Sequence, residues 1–119
     1  MKNDFADKIV TRPWGTFQVI KESSTFKIKI ITVNPHSRLS YQSHEHRRET
    51  WVVTQGVAHV TLDDVVTQLL AYEQIHIPCK SKHRLENRGA AKLVIIEIQE
   101  GESFEEEDIV RYEDDYGRS

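Results

Sequence analysis

Six segments of this chain read as short β-strands, and the residues between them leave room for little except an all-β fold. Phe26-Lys-Ile-Lys-Ile30 alternates apolar and cationic residues, the period-two pattern of a half-buried strand. Trp51-Val-Val-Thr54 stops at Gln55-Gly56. Val57 to Leu62 ends at Asp63-Asp64, and Val65 to Leu70 follows. Gln74 to Ile77 runs into Pro78, and Leu93 to Ile98 closes the series before Gly101. Turn residues separate these β-branched runs at roughly 8–12-residue intervals, the signature of a sandwich or closed barrel. Asp63-Asp64, between two apolar runs, reads as a hairpin turn. Only the tail looks helical. Ser103-x-x-Glu106 has capping-box spacing, and the carboxylates from Glu105 to Asp108 complement the dipole of a turn or two of helix.

With 119 residues the chain suffices for one domain with a modest core and not for two. The expected domain is 1–119, with a core from about 12 to 100 and an acidic segment, 101–119, that docks on it. Nine of the nineteen acidic residues lie between Glu100 and Asp115. Such a run is ordinarily a solvated face, but Phe104, Ile109, Val110, Tyr112 and Tyr116 give it apolar anchors. The net charge of −3 argues against nucleic acid. No apolar run approaches the length that crosses a bilayer. Met1-Lys-Asn-Asp-Phe5 opens no signal peptide, and the single cysteine, Cys79, forms no intrachain disulfide. A cytoplasmic address is expected.

Two clusters about forty residues apart carry the chemistry. The first is Gln42-x-His44-x-His46-x-x-Glu49 with Gly56. The second is Pro78-x4-His83-x3-Asn87. On an extended chain Gln42, His44 and His46 share one face. Glu49 has the other parity and joins them only through a bulge or bend near Arg47-Arg48. His83 comes from another strand. Three imidazoles and a carboxylate with a position left open describe a catalytic site for a divalent metal. His36, His59 and His76 lack partners at ligand spacing and read as ordinary surface or core residues.

These residues resemble the two motifs of the cupins. The likeness extends further, to the isomerase domain of type II phosphomannose isomerases. It is carried by Arg12-Pro-Trp-Gly15, Leu39-Ser-Tyr-Gln-Ser-His44, His46-Arg-Arg-Glu49, Trp51-Val-Val53, Ile77-Pro78, His83-Arg-Leu-Glu-Asn87, Ile96-Glu-Ile-Gln99, Asp108-Ile-Val-Arg111 and Asp115-Tyr-Gly-Arg118. The fold it implies is a single-domain cupin, a double-stranded β-helix or jelly-roll barrel. Three departures stand out. His36 follows Pro35 and Lys80 follows Cys79, where the family usually has glycine; both fit a positive-φ turn only at some strain. Thr50 follows Glu49 where the family usually has histidine. No glycine-rich nucleotide segment is present, so the resemblance implies a free-standing isomerase domain, or a relative that kept the fold and changed the job.

The implied activity interconverts mannose 6-phosphate and fructose 6-phosphate by moving a proton between C2 and C1 through a cis-enediol. The implied cofactor is a divalent metal as Lewis acid, zinc first, with manganese, cobalt, iron or nickel also suiting the donors. His44, His46, Glu49 and His83 are the preferred ligands, with Gln42 in support. Type I relatives begin Gln-x-His, so Gln42 and His44 remain an alternative pair with His46 outside. For the phosphate, Arg12 and Arg111 are preferred over Arg47, Arg48, Lys82, Arg84 and Arg118, because they lie in the resembling stretches. Arg84 follows His83 and so points to the opposite face. The catalytic base stays open among Glu97, Glu86 and a metal-bound hydroxide. Trp14 and Trp51 read as core. Two other functions remain: a non-catalytic sugar-phosphate-binding cupin, and a non-haem iron oxygenase, which takes two histidines and a carboxylate. Cupins pair through sheet edges, so a homodimer is implied.

Overall fold

The computed structural model of the chain describes residues 8–117, the side chain of Glu106 excepted. Met1 to Phe5, Arg118 and the capping role of Glu106 therefore fall outside the described residues. The strands are β1 (Ile9–Arg12), β2 (Gly15–Glu22), β3 (Phe26–Val33), β4 (Ser37–Arg38), β5 (Tyr41–His44), β6 (Arg47–Gln55), β7 (Ala58–Leu62), β8 (Val65–Leu69), β9 (Gln74–Ile77), β10 (His83–Asn87), β11 (Leu93–Gly101) and β12 (Ile109–Glu113). The helical turn is one 3₁₀ turn, Glu106–Asp108. Among the described residues no helix is long and apolar enough to cross a membrane.

Two antiparallel sheets face each other. One runs β1-β2-β3-β11-β6-β9 and the other β12-β5-β10-β7-β8, with β4 on β10. This is the jelly-roll double-stranded β-helix of the cupins. Asp63 and Asp64 turn the β7–β8 hairpin with φ of 46° and 69°, the backbone of a type I′ turn. His36 (φ 56°) and Lys80 (φ 69°) also sit in the left-handed region, the conformation their replacement of glycine demands. Gly15 has φ 152°, and a Cβ there would overlap the Thr32 carbonyl oxygen, which explains the glycine that ends Arg12-Pro-Trp-Gly15.

Register decides what the interior contains. Across β3, β11 and β6, Ile31, Ile95 and Val53 form one buried row. The next row outward is Lys29, Glu97 and Trp51, and beyond it lie Gln99 and Glu49. One end of the barrel is thus an apolar core, continued by Val33, Val60, Leu85 and Leu93. The other end is a polar cavity. The alternation in Phe26-Lys-Ile-Lys-Ile30 leaves open which set of side chains is turned inward; Lys29 shares the inward face of Ile31 and Val33, while Ile28 and Ile30 lie on the outer face.

The tail lies along the body. β12 pairs with β5, Tyr116 packs on the core, and its hydroxyl donates to the Arg38 carbonyl at 3.0 Å. Arg38 grips Asp115 bidentately at 2.7 and 3.0 Å.

Candidate metal centre

Residues from both sheets meet at the polar end of the barrel. In the second sheet Arg111, Gln42 and His83 are cross-strand neighbours on β12, β5 and β10, and all three line the cavity. His44 ends β5. The chain then turns a corner at Glu45-His46 and enters the first sheet as β6, whose inward face carries Arg47, Glu49, Trp51 and Val53. Counting parity from Gln42 to Glu49 fails because the two ends lie in different sheets, and alternation restarts after the corner. Glu49 does reach the histidines, but the bend is at Glu45-His46 rather than at Arg47-Arg48.

That corner corrects the expected ligand set. His44, Glu49 and His83 are buried and present ligand atoms all within 4.8 Å of one another. His46 is exposed and is not in that group. Its amide donates to Asp108 Oδ2 at 3.0 Å and its carbonyl accepts from the Glu102 amide at 2.9 Å, which fixes it at the outside of the bend. Gln42, which the likeness to type I relatives offers as the alternative to His46, lies on the cavity wall beside His83.

The geometry fits a divalent metal. His83 Nδ1 lies 2.9 Å from the Ser81 carbonyl, so it carries the proton and leaves Nε2 with a free lone pair, 3.8 Å from Glu49 Oε1. His44 Nδ1 lies 3.5 Å from Glu49 Oε2. Burial, reinforced by Arg47, pushes the His44 imidazole down to about 2, and burial lowers His83 as well. Both rings are therefore neutral at physiological pH, the form that ligates. Two neutral imidazoles and a carboxylate, with an amide oxygen available from Gln42, suit a borderline metal ion.

Further groups surround these donors. Glu97 is buried, and burial raises its carboxyl to about 7, helped by the charge of Glu49. It accepts from Trp51 Nε1 at 3.1 Å and from Gln99 Nε2 at 2.6 Å. Lys29 faces it across β3 and β11, with its ammonium 4.3 Å from the centre of the Phe17 ring. Burial lowers the Lys29 amine, and Glu97 offsets part of this. Sequence reasoning did not single out Lys29; the sign that it lies inside is its register with Glu97, visible only once β3 and β11 are paired.

The expected phosphate residues Arg12 and Arg111 both line the cavity. The buried Nε of Arg111 has no hydrogen-bond partner among the described residues. The other cations lie elsewhere or do other work. Arg84 donates to the Leu39 carbonyl at 2.9 Å and the Glu113 carbonyl at 3.1 Å, tying β10 to the tail. Arg48 is exposed and pairs with Glu100. The Lys82 ammonium sits 4.5 Å from the centre of the Tyr112 ring, outside the cavity lining. Arg47, ranked below Arg12 and Arg111 for the phosphate, is buried and contacts both His44 and Glu49. Thr50 points to the outer face and bonds His76 Nδ1 at 2.9 Å, so this departure does not touch the cavity. Asn87 is a brace, not a ligand: its amide bonds the carbonyls of Val33, Asn34 and Ala91. Glu86 pairs with Arg88 outside the cavity.

Comparison with known proteins bears on the family and the fold. The family model described as mannose-6-phosphate isomerase C-terminal matches residues 2–114. The alginate biosynthesis protein AlgA of Pseudomonas aeruginosa is 46% identical over 110 residues, which is 92% of this chain and 23% of the relative. The xanthan biosynthesis protein XanB of Xanthomonas campestris is 46% identical, with 92% and 24% covered. The mannose-1-phosphate guanylyltransferase ManC of Salmonella typhimurium is 46% identical over 109 residues, again 92% and 23%. The chain thus spans about a quarter of the length of the curated relatives it matches. Among solved structures, KdgF of a Halomonas species superposes with a TM-score of 0.77 at 12% identity, covering 86% of this chain and 93% of that one. An RmlC-like cupin of Shewanella frigidimarina superposes with a TM-score of 0.73 at 17% identity, covering 82% and 86%. At such identities these likenesses carry the fold alone.

Proposed function

The chain belongs to the mannose-6-phosphate isomerase C-terminal family of cupins, and from that premise we propose that it is a metal-dependent aldose–ketose isomerase acting on mannose 6-phosphate and fructose 6-phosphate. The observation that carries this reading is the joining of a metal donor set to a cationic wall in one cavity. Arg12, Lys29, Arg47 and Arg111 stand against Glu49 and Glu97, a surplus of two positive charges in a chain of net charge −3. The surplus is unchanged if Lys29 and Glu97 are both neutral. A buried positive cavity in an acidic protein selects an anion, and a phosphate dianion matches guanidinium donors.

His44, Glu49 and His83, with Gln42, hold the metal, and zinc, manganese, cobalt, iron and nickel all accept these donors. When bound, the metal supplies a Lewis acid that polarises the sugar carbonyl. Arg111, with its free buried Nε, and Arg12 take the phosphate. Glu97 and Lys29, facing each other on the cavity wall, are the groups that move a proton between C2 and C1 through the enediol. The apolar floor of Trp14, Ile31 and Leu39 keeps bulk water from the reacting carbons.

A coupled assay of mannose 6-phosphate turning into fructose 6-phosphate tests the proposal. The apo protein and protein reloaded with zinc, manganese or cobalt are compared, with His83→Ala as control. Metal-dependent turnover that His83→Ala abolishes is expected. A folded, metal-loaded protein with no turnover overturns the isomerase reading and leaves sugar-phosphate binding as its successor.

A further inference from the structure

Arg47 stands in contact with two of the three metal donors. Its Nη2 lies 2.8 Å from His44 Nε2 and its Nε donates to Glu49 Oε2 at 3.0 Å. The residue is 5% exposed, at the start of β6 just past the corner that carries His46 outward. A guanidinium has N–H groups and no acceptor, so His44 Nε2 must accept from it through the lone pair a metal would need. The proton of the neutral ring is then on Nδ1, which closes that nitrogen to a metal as well. His83 is arranged the opposite way: the Ser81 carbonyl holds its Nδ1 proton, and its Nε2 lone pair is free. One imidazole is presented for ligation and the other is taken.

We propose that Arg47 is a built-in competitor of the metal: its guanidinium and the ion are alternative occupants of His44 and Glu49. The inference rests on the metal-centre reading above and does not depend on the isomerase activity. Its consequence is selectivity. An ion enters only if its bonds to an imidazole nitrogen and a carboxylate outweigh the two charge-assisted hydrogen bonds it breaks. Zinc, cobalt and nickel bind imidazole strongly. Magnesium prefers oxygen donors and keeps its water, so it is turned away. The resident cation also steadies the metal-free site, since it is the guanidinium paired directly with the buried Glu49.

The test is metal affinity, read by calorimetry and by the visible absorption of bound cobalt, for the full chain and for Arg47→Met. The variant is expected to bind cobalt at least about tenfold more tightly, because a competing charge next to the ion is gone, and to gain measurable affinity for magnesium. Equal or weaker cobalt binding by the folded variant overturns the proposal, since an arginine that merely orients the ligands would help the metal. Cobalt binding by neither protein overturns it too. A measurement on the unaltered protein stands beside this one, in case Arg47→Met fails to fold. The Arg47 Nε–H resonance in a ¹⁵N spectrum is expected to be protected from exchange without metal and to move or vanish with saturating zinc. A resonance that zinc leaves unchanged overturns the proposal. None of these readouts involves turnover, so their failure is distinct from failure of the isomerase assay.

Discussion

Glu49 and Glu97 share one hydrogen-bond donor. The indole N–H of Trp51 lies 3.0 Å from Glu49 Oε1 and 3.1 Å from Glu97 Oε2. Both carboxyls are buried, and the three residues occupy successive inward positions of β6 and β11. Two buried carboxylates this close cannot both be comfortably charged. Arg47 neutralises Glu49, and Glu97 answers by holding its proton. The pair thus divides into a carboxyl held by Arg47 and one whose proton affinity burial raises, with Trp51 as the bridge.

Replacing Trp51 by Phe removes that bridge and keeps most of the apolar bulk. The two acceptors lose their common donor in a buried site, which costs about 1–3 kcal/mol beyond the loss of packing. Urea unfolding at neutral pH is expected to show a drop of this size. A change within 0.5 kcal/mol, on the order of a neutral surface substitution, would show that the shared donor contributes nothing.

The stability of the protein should carry the signature of Glu97. Folded, its carboxyl holds a proton up to about 7; unfolded, it releases it near 4.5. A raised carboxyl stabilises the fold fully below the unfolded value, and this contribution is lost as pH rises through the folded value. The loss amounts to on the order of 3 kcal/mol. His44 acts in the opposite sense. Its lowered value gives a contribution present above 6.5 that is lost on acidification towards 2. Subtracting variant from wild type isolates the carboxyl. Glu97→Gln is expected to gain about 2–3 kcal/mol relative to wild type between pH 5 and pH 8. Parallel stability curves for the two proteins would refute the assignment.

Arg111→Met removes a buried Nε donor that has no hydrogen-bond partner among the described residues, so it is expected to leave stability unchanged or slightly improved. If its guanidinium grips the phosphate, KM for mannose 6-phosphate rises about 10- to 100-fold while kcat changes far less, as loss of uniform binding does. An unaltered KM would remove Arg111 from the substrate site.

Asn87→Ala tests the brace. The side chain donates to three carbonyls at 2.8–3.2 Å and accepts from the Gly89 amide at 3.0 Å, closing the loop between β10 and β11. Truncation strands the buried Val33 carbonyl and two part-buried ones, and is expected to cost about 2–3 kcal/mol, lowering Tm by roughly 10 °C. Cobalt affinity should stay within about twofold. A tenfold loss of cobalt affinity would return Asn87 to the metal centre.

Much of this molecule is legible in its residues. β-Branched runs between turns specify an all-β chain. Asp63-Asp64 marks a real hairpin, and the positive φ of His36 and Lys80 follows from the glycines they replace. His44, Glu49 and His83 are found from spacing because imidazoles and a carboxylate so grouped have few other uses. What spacing misjudges is His46, and what it leaves unplaced is Lys29. Alternation predicts the side of a strand within one sheet, and it predicts nothing across a corner. Between His44 and Arg47 the chain leaves one sheet and enters the other, so His46 swings out and Arg47 swings in. Lys29 alternates with isoleucines, and alternation leaves open which set is turned inward. Pairing with β11 decides this, because the inward row beside it holds Glu97.

Local chemistry therefore determined six of the twelve strands, the hairpin turn, the family and three candidate metal donors, since each depends on residue type and short spacing. The tertiary structure alone decided which face of β3 is inside, that Gln42 rather than His46 stands beside the donors, and that Arg47 occupies two of them. Those outcomes depend on strand register between segments tens of residues apart, and on burial that strips water from the charges packed there, neither of which is written in any single stretch of chain.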